Sequence, residues 1–358
     1  MKKREIVNMN RTIRWICKNC NKKWIQPVET CIFCKGKTEK QIGRKLRVIG
    51  FTKVNIPSVM HPIVPYNILL LEDELGNKMP KKTIRDYNMG DDYEVLPSKD
   101  RHAVSITKIK YDVDSAIEEA LYLIGGIKVN AKTRILLKPN IMSSAYKYLS
   151  VTTHPKILSA IITYLLSNGA LAKNIALAEQ CIYNPIDDAL VKSGIGEVCK
   201  HFNIRFLDIA KGDFEEREIN GMKFNISKIP NYDLIINVPV LKTHLLFGIS
   251  GAFENMTRFV AKENLLQLQK TNIDLNKVLV ILNKILPKYL TIGDGMIGMQ
   301  GNWPLNGECA FLNYVLASHD AVAHDAVFAE LGMFLRNPKY LDIAEKEGLG
   351  IADINKIP

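Results

Sequence analysis

The feature that most constrains this chain is a change of texture near residue 103, after which strand and helix signals alternate to the end. SITKIKYDV leads to a helical SAIEEALYLIGG, RILLKPNI to PKILSAIITYLLSNGA, and NIALAEQ to DDALVKSGIGEVCKHF. IRFLDI and the apolar DLIINVPVL read as strands, LNKVLVILNKIL as a helix, YLTIGDGM and YVLAS as strands, and AVAHDAVFAELG and PKYLDIAEKEG as closing helices. This order predicts an α/β domain over 103–358, a mostly parallel sheet flanked by helices. In such sheets functional residues collect just beyond the carboxyl ends of the strands.

The first hundred residues read differently. Cys17, Cys20, Cys31 and Cys34 form a C-x2-C, ten-residue spacer, C-x2-C pattern that can place four thiolates around one Zn²⁺, so 1–40 reads as a zinc ribbon. Four cysteines leave no open position on the metal, which makes the zinc structural. Short β-like runs follow over 41–100: KLRVIGFTKVN, YNILLLEDELGNKMPK with a hairpin turn at 75–78, and DDYEVLP. They suggest a small OB-like barrel, with PSKDRH (97–102) as the linker. Charge follows the same division, because the formal net charge of +11 lies entirely in residues 1–50, where 14 Lys+Arg face 3 Asp+Glu. A uniformly basic nucleic-acid coat is therefore not expected. No apolar run reaches the roughly 20 residues that span a bilayer, and the basic N-terminus lacks the apolar stretch of a signal peptide. A cytoplasmic protein without membrane association is the expectation.

Four strand-end clusters could carry chemistry. RILLKPNIMS ends in Lys138 and Asn140, and VTTHPK puts Thr153 and His154 before a helix opening on Pro155, where they can cap the helix or hold an anion. LIINVPVLKTHLLFGISGAFENMTRF delivers Lys242 and His244, then glycines and Asn255; a Lys and a His two residues apart can bind a carboxylate or phosphate and offer a general base. TIGDGMIGMQGNWPLNG sets Asp294 among glycines, as a local cap or a ligand, and matches neither a P-loop nor G-x-G-x-x-G. ASHDAVAHDAVFAELG carries Asp320, a plausible N-cap, and Asp325; its His319 and His324, five apart, are not spaced as helical metal ligands. Cys181, Cys199 and Cys309 form no C-x-x-C and read as spectators.

LLKPNI, the TTHP helix entry, INVPVLKTH with ISGAFEN, IGDG with GNWPLNG, and SHDAVAHDAV with a later GLG occur in the order that resembles domain-of-unknown-function family 362, over about 130–350. The resemblance implies an α/β fold and a polar site of Lys138, Asn140, Thr153, His154, Lys242, His244, Asn255, Asp294, Asp320 and Asp325. Many members look like iron–sulfur proteins, but the C-x2-C-x2-C-x3-C run is missing here, so no cluster is expected in this chain unless a partner supplies it. The four-cysteine ribbon, RVIGFTKVN, HPIVPYNILLLE and DYNMGDDYEV resemble the zinc-ribbon and OB-fold proteins of family 35 in the same series. That likeness implies an accessory module of thiolase-type enzymes, associated with acyl-CoA.

Three functions follow as expectations. The first is an enzyme on a small anionic metabolite, carried as an acyl-CoA thioester, with Lys242, His244 and Asp294 in catalysis and the remaining site residues binding substrate. The second is a nucleic-acid-binding protein, disfavoured because Phe51, Tyr66, Tyr87 and Tyr93 are scattered rather than arrayed for stacking. The third is a non-catalytic scaffold for a thiolase-like or redox partner.

Overall fold

The computed structural model describes residues 12–58, 61–109, 112–219, 221–228, 232–268, 273–302, 306–332 and 338–358. Trp303, Pro304 and Leu305 of the GNWPLNG motif lie outside the described residues. The chain divides into two compact units, Met1–Leu96 and Pro97–Pro358.

In the first unit β1 (Thr12–Cys17) pairs antiparallel with β2 (Lys23–Trp24) and β3 (Thr38–Gly43). The two knuckles lie in the turns of this sheet, and Asn21 and Lys35 take left-handed backbone there (φ +56° and +60°). A second sheet runs β4 (Leu46–Val54), β5 (Tyr66–Asp73), β6 (Lys78–Thr83) as an antiparallel meander, and Gly76 (φ +70°) makes the expected hairpin turn. Gly90 and Tyr93 add backbone bonds to the free edge of β4. The described residues thus form an open sheet where a barrel was expected over 41–100. The buried set, Leu46, Val48, Leu69, Leu71 and Tyr93, covers one face of a sheet and does not fill a closed interior.

The second unit is built on a ten-stranded sheet. Its elements are β7 (Val104–Lys108), α1 (Val113–Leu123), β8 (Ile135–Pro139), α2 (Pro155–Ser167), β9 (Ile175–Glu179), α3 (Ile186–Ser193), α4 (Ile195–Phe202), β10 (Arg205–Asp208), the hairpin β11 (Phe214–Ile219) and β12 (Met222–Ser227), β13 (Leu234–Val238), β14 (Val240–His244), β15 (Gly248–Ser250), α5 (Ala252–Met256), α6 (Lys262–Leu268), α7 (Leu275–Ile285), β16 (Leu290–Asn302), β17 (Asn306–Ala310), β18 (Tyr314–Ser318), α8 (Ala321–Leu331) and α9 (Lys339–Lys346). The path β10-β9-β8-β13-β16-β14 is parallel, whereas β15, β17, β18 and β7 join antiparallel, so the sheet is mixed. Strand β16 is the reason. Its thirteen residues leave one edge to β13 and β14 and the other to β18 and β17, and the latter return as antiparallel neighbours.

Two sequence expectations shift by one residue's chemistry. The expected single strand 233–241 is interrupted at Pro239, which has no N–H to give the ladder, and resumes as β14 along the same edge of β16. The expected helix 187–202 breaks at Gly194 (φ +80°) into α3 and α4. The run Pro97–His102 opens the second unit, where His102 Nδ1 lies 2.5 Å from Asp320 Oδ2. Alternation sorts the core: Ile135, Leu137, Ile175 and Leu177 pack with α1, α2 and α4 on one face, while Leu136, Ala176 and Ala178 pack with β12, Phe259 and α7 on the other. No helix among the described residues is long and apolar enough to cross a membrane.

Candidate functional site

Parallel β8, β9 and β13 end side by side, and each carries a buried polar residue at its last or next-to-last position, Lys138, Glu179 and Asn237. Lys138 of β8 is completely buried and its Nζ lies 2.7 Å from Oε2 of Glu179, the last residue of β9 and equally buried. A buried ion pair persists only where the remaining donors and acceptors are satisfied. Here Lys138 Nζ also donates to Pro139 O (2.9 Å), and Glu179 accepts from the amides of Ile141 (3.1 Å) and Gln180 (2.8 Å). Burial drives the Lys138 amine below its ordinary range and the Glu179 carboxyl above its own, each opposed by the partner's charge.

Asn255, on the short α5, closes the strand ends. Its Nδ2 donates to Asn237 Oδ1 of β13 (2.7 Å) and its Oδ1 accepts from Asn140 Nδ2 (3.0 Å). Asn140 Oδ1 in turn accepts from Lys242 Nζ (3.2 Å), and the Asn140 amide donates to Thr153 Oγ1 (2.8 Å), whose hydroxyl donates to Val238 O (2.7 Å). Lys138, Asn140, Thr153, Lys242 and Asn255, scattered over 117 residues, thus form one hydrogen-bonded network. Burial lowers the Lys242 amine to about 8, against the pull of Glu254.

Beside it lies a second buried pair. Arg258 Nη2 meets Glu254 Oε1 at 3.1 Å, and Ser250 Oγ donates to Glu254 Oε2 (2.7 Å). Burial alone would raise the Glu254 carboxyl, but Arg258, His244 and Lys242 hold it at about 2. His244 Nδ1 accepts from the amides of Leu246 (3.1 Å) and Phe247 (3.2 Å), which assigns its proton to Nε2, and burial keeps it neutral with a pKa of about 4 despite Glu254. Lys138, Lys242 and Arg258 thus cluster with two carboxyl groups, Glu179 and Glu254. A cavity of about 70 Å³ opens beside them, with His244, Glu254 and Arg258 among its walls.

The other expected site residues also hold local structure. His154 caps α2, its Nδ1 accepting from Lys156 N (3.2 Å), and burial, helped by Lys147 and Lys156, lowers it to about 4. Asp294 accepts from the amides of His154 (2.6 Å) and Met296 (3.0 Å), and burial raises its carboxyl to about 7. Asp320 caps α8 through the amides of Val322 and Ala323. Asp325 accepts from the amides of Ala252 (2.7 Å) and Phe253 (3.1 Å) and from Tyr340 OH (2.8 Å), so it anchors α5 from behind. His324 Nδ1 lies 2.9 Å from Asp325 Oδ1. Glu179, Glu254 and Arg258 were missed by sequence reasoning. The signal for Glu179 was its place at the end of the strand NIALAEQ, and that for the other two was their i, i+4 spacing.

In the first unit the four cysteine Sγ atoms lie within 4.8 Å of one another. The close pairs, Cys17 with Cys34 at 3.3 Å, Cys20 with Cys34 at 3.5 Å and Cys20 with Cys31 at 3.6 Å, approach the roughly 3.8 Å separation of sulfurs in a tetrahedral zinc–thiolate site. Burial opposes ionisation of Cys31, but the amides of Cys34 and Phe33 and the neighbouring thiols bring it to about 6. The donor set fits a metal ion such as zinc. Among the described residues no other group of three or more His, Cys, Asp or Glu is placed to hold one.

The thylakoid-associated protein sll1697 of Synechocystis sp. (strain PCC 6803) is 24% identical over 212 residues, 55% of this chain, which spans 62% of that relative's length. Among solved structures, the Ltp2-ChsH2(DUF35) aldolase is similar over 28% of this chain and 76% of its own, with 16% identity and a TM-score of 0.20. A Thermotoga maritima protein is similar over 65% of this chain and 57% of its own, with 11% identity and a TM-score of 0.35. The family model described as Domain of unknown function (DUF362) matches residues 135–330, the stretch that contains the whole buried network, and the chain belongs to that family.

Proposed function

We propose that the α/β unit is an enzyme that binds a small organic anion beside Lys242, His244 and Arg258 and transfers a proton on it. The carrying observation is the Arg258 guanidinium and the His244 imidazole on the wall of one cavity, with Lys242 buried nearby, since a buried cationic group is stabilised by an anionic partner. Lys242, with its amine near 8, exchanges a proton close to neutral pH and serves as the base. His244 lies on the cavity wall, and Asp294, near 7, is a second proton-exchanging group on the adjacent strand. Lys138, Asn140, Thr153 and Asn255 hold Lys242 in place.

The same reading takes the metal of Cys17, Cys20, Cys31 and Cys34 as structural zinc, since four thiolates close its coordination. It takes the ligand as an acyl-CoA thioester in a cytoplasmic setting, and Lys18, Lys22, Lys23, Lys35 and Lys37 as a basic surface of the ribbon. Thermal-shift titration with simple carboxylates and phosphate tests the anion site. Wild type should be stabilised, and Lys242→Met and Arg258→Met, checked for helical content by circular dichroism, should not respond. No response in the wild type, or an undiminished one in both folded variants, overturns the reading.

A second reading, the ribbon as a docking module for a thiolase-like partner, is favoured by exposed Ile25, Ile32 and Phe33 among these lysines, with Lys22 Nζ 3.5 Å above the Phe33 ring. Phe33→Glu should abolish copurification with such a partner, and unchanged copurification rejects the docking role.

A further inference from the structure

The structure separates Cys309 from the other six cysteines. Cys17, Cys20, Cys31 and Cys34 form the ribbon cluster, and Cys181 and Cys199 are buried, which raises both thiols, Cys199 to about 11. Cys309, on β17, is exposed. It pairs with Met299 across the β16–β17 ladder, so the two side chains share a face. Met299 packs there against Met142, Ala145 and Val151, which turns that face toward the segment 142–151 after β8, and Cys309 Sγ donates to Tyr148 O of that segment at 3.3 Å. A cavity of about 340 Å³ has Cys309, Met299 and residues 143–146 in its wall, a size within the roughly 300–1,000 Å³ of small-molecule sites. Two hydroxyls add to the thiol. Ser143 is 5% exposed and its hydroxyl has no hydrogen-bond partner among the described residues, and Ser144 Oγ is shut off from solvent without one; both residues line the cavity. Buried hydroxyls left unpaired cost stability that a bound polar group restores. Lys192, exposed on α3, brings a cation to the same wall.

We infer that Cys309 is a thiol–disulfide exchange site for a small disulfide that carries a carboxylate, and that the half it captures stays in this cavity. Hydroxyl donors and an ammonium pair with a carboxylate, which sets the charge of the partner. Cys309 gives its proton to water, and the thiolate attacks one sulfur of the disulfide. The new S–S bond forms as the old one breaks, and the departing thiolate takes up a proton. The Cys309 sulfur is oxidised and the departing sulfur reduced. The adduct has no S–H to offer Tyr148 O, so the exchange also releases the contact between β17 and the segment 142–151.

Incubating the intact protein, with zinc supplied to its ribbon, with dithiodipropionate and mapping the adducts by mass spectrometry tests this. One adduct per chain should form at Cys309, reversed by dithiothreitol and absent in Cys309→Ser. Its rate, divided by that of free N-acetylcysteine with the same reagent, should exceed the corresponding ratio for the cationic disulfide cystamine by about two- to fivefold, the reach of one exposed charge pair. Lys192→Glu, at an exposed position that the fold tolerates, should reverse that preference. No adduct at Cys309, or adducts confined to other cysteines, overturns the assignment. Equal normalised rates for the two reagents, or a preference that survives Lys192→Glu, shows an exposed thiol reacting without the cavity and rejects the site.

Discussion

Replacing Glu179 by Gln leaves Lys138 buried without its counter-charge. Across 2.7 Å the Coulomb attraction is about 6 kcal/mol at an effective dielectric near 20. Part is recovered, because Lys138 keeps its bond to Pro139 O and can release its proton. The expected net loss at pH 7 is about 3–5 kcal/mol, the usual cost of breaking a buried pair from one side. Removing both charges as Lys138→Met with Glu179→Gln should cost less than the sum of the two single changes by about 2–3 kcal/mol. The pH dependence has a definite sign. Burial already depresses the Lys138 amine, and losing Glu179 depresses it further, while the unfolded chain keeps that proton to about pH 10.4. Between those values the unfolded state binds more protons, so the variant regains stability as pH rises, and its deficit against wild type narrows from pH 7 toward 10. Urea unfolding followed at 222 nm is the assay, because every α-helix among the described residues lies in the second unit. A Glu179→Gln deficit below about 1 kcal/mol at pH 7, or strict additivity in the double variant, would refute the idea that this pair is electrostatically coupled.

Chelating the ribbon metal, or changing Cys31→Ser, should unfold the first fifty residues without altering the 222 nm signal, since the metal supplies most of the folding energy of so small a knuckle; limited proteolysis and elemental analysis read this, and a protease-resistant metal-free ribbon contradicts it. Gly251→Ala should destabilise the second unit by about 1–3 kcal/mol, because the added methyl overlaps the Asp325 carboxylate that holds α5; unchanged urea midpoints count against it. Asp294, raised to about 7, favours folding in its protonated form, so its contribution is full below pH 4 and lost between about pH 4 and 7, on the order of 4 kcal/mol. His154 and His244, lowered to about 4, act oppositely over nearly the same range, so the quantity to follow is the stability difference between wild type and Asp294→Asn. A pH-independent difference would show that Asp294 does not titrate there.

Local patterns were legible without coordinates where chemistry is written in neighbouring residues. The C-x2-C pairs placed four thiols in two turns that fold toward each other, Gly76 marked a hairpin, and the apolar runs marked β8, β9 and β13 as strands buried on both faces. Lys138, Asn140, Thr153, Lys242 and Asn255 could be nominated because each follows or ends such a run. Which nominees meet was a matter of register and strand order. Parallel pairing of β8 with β9 puts Glu179 against Lys138, and the direction of β16 sends β17 and β18 back antiparallel. The same tertiary arrangement gave Asp320 the amides at the start of α8 to hold and Asp325 those at the start of α5. Sequence alone determined which side chains would be too polar to bury cheaply. Only the tertiary structure decided how each was compensated, because a buried charge is satisfied by whatever the fold brings within hydrogen-bond reach, however distant along the chain.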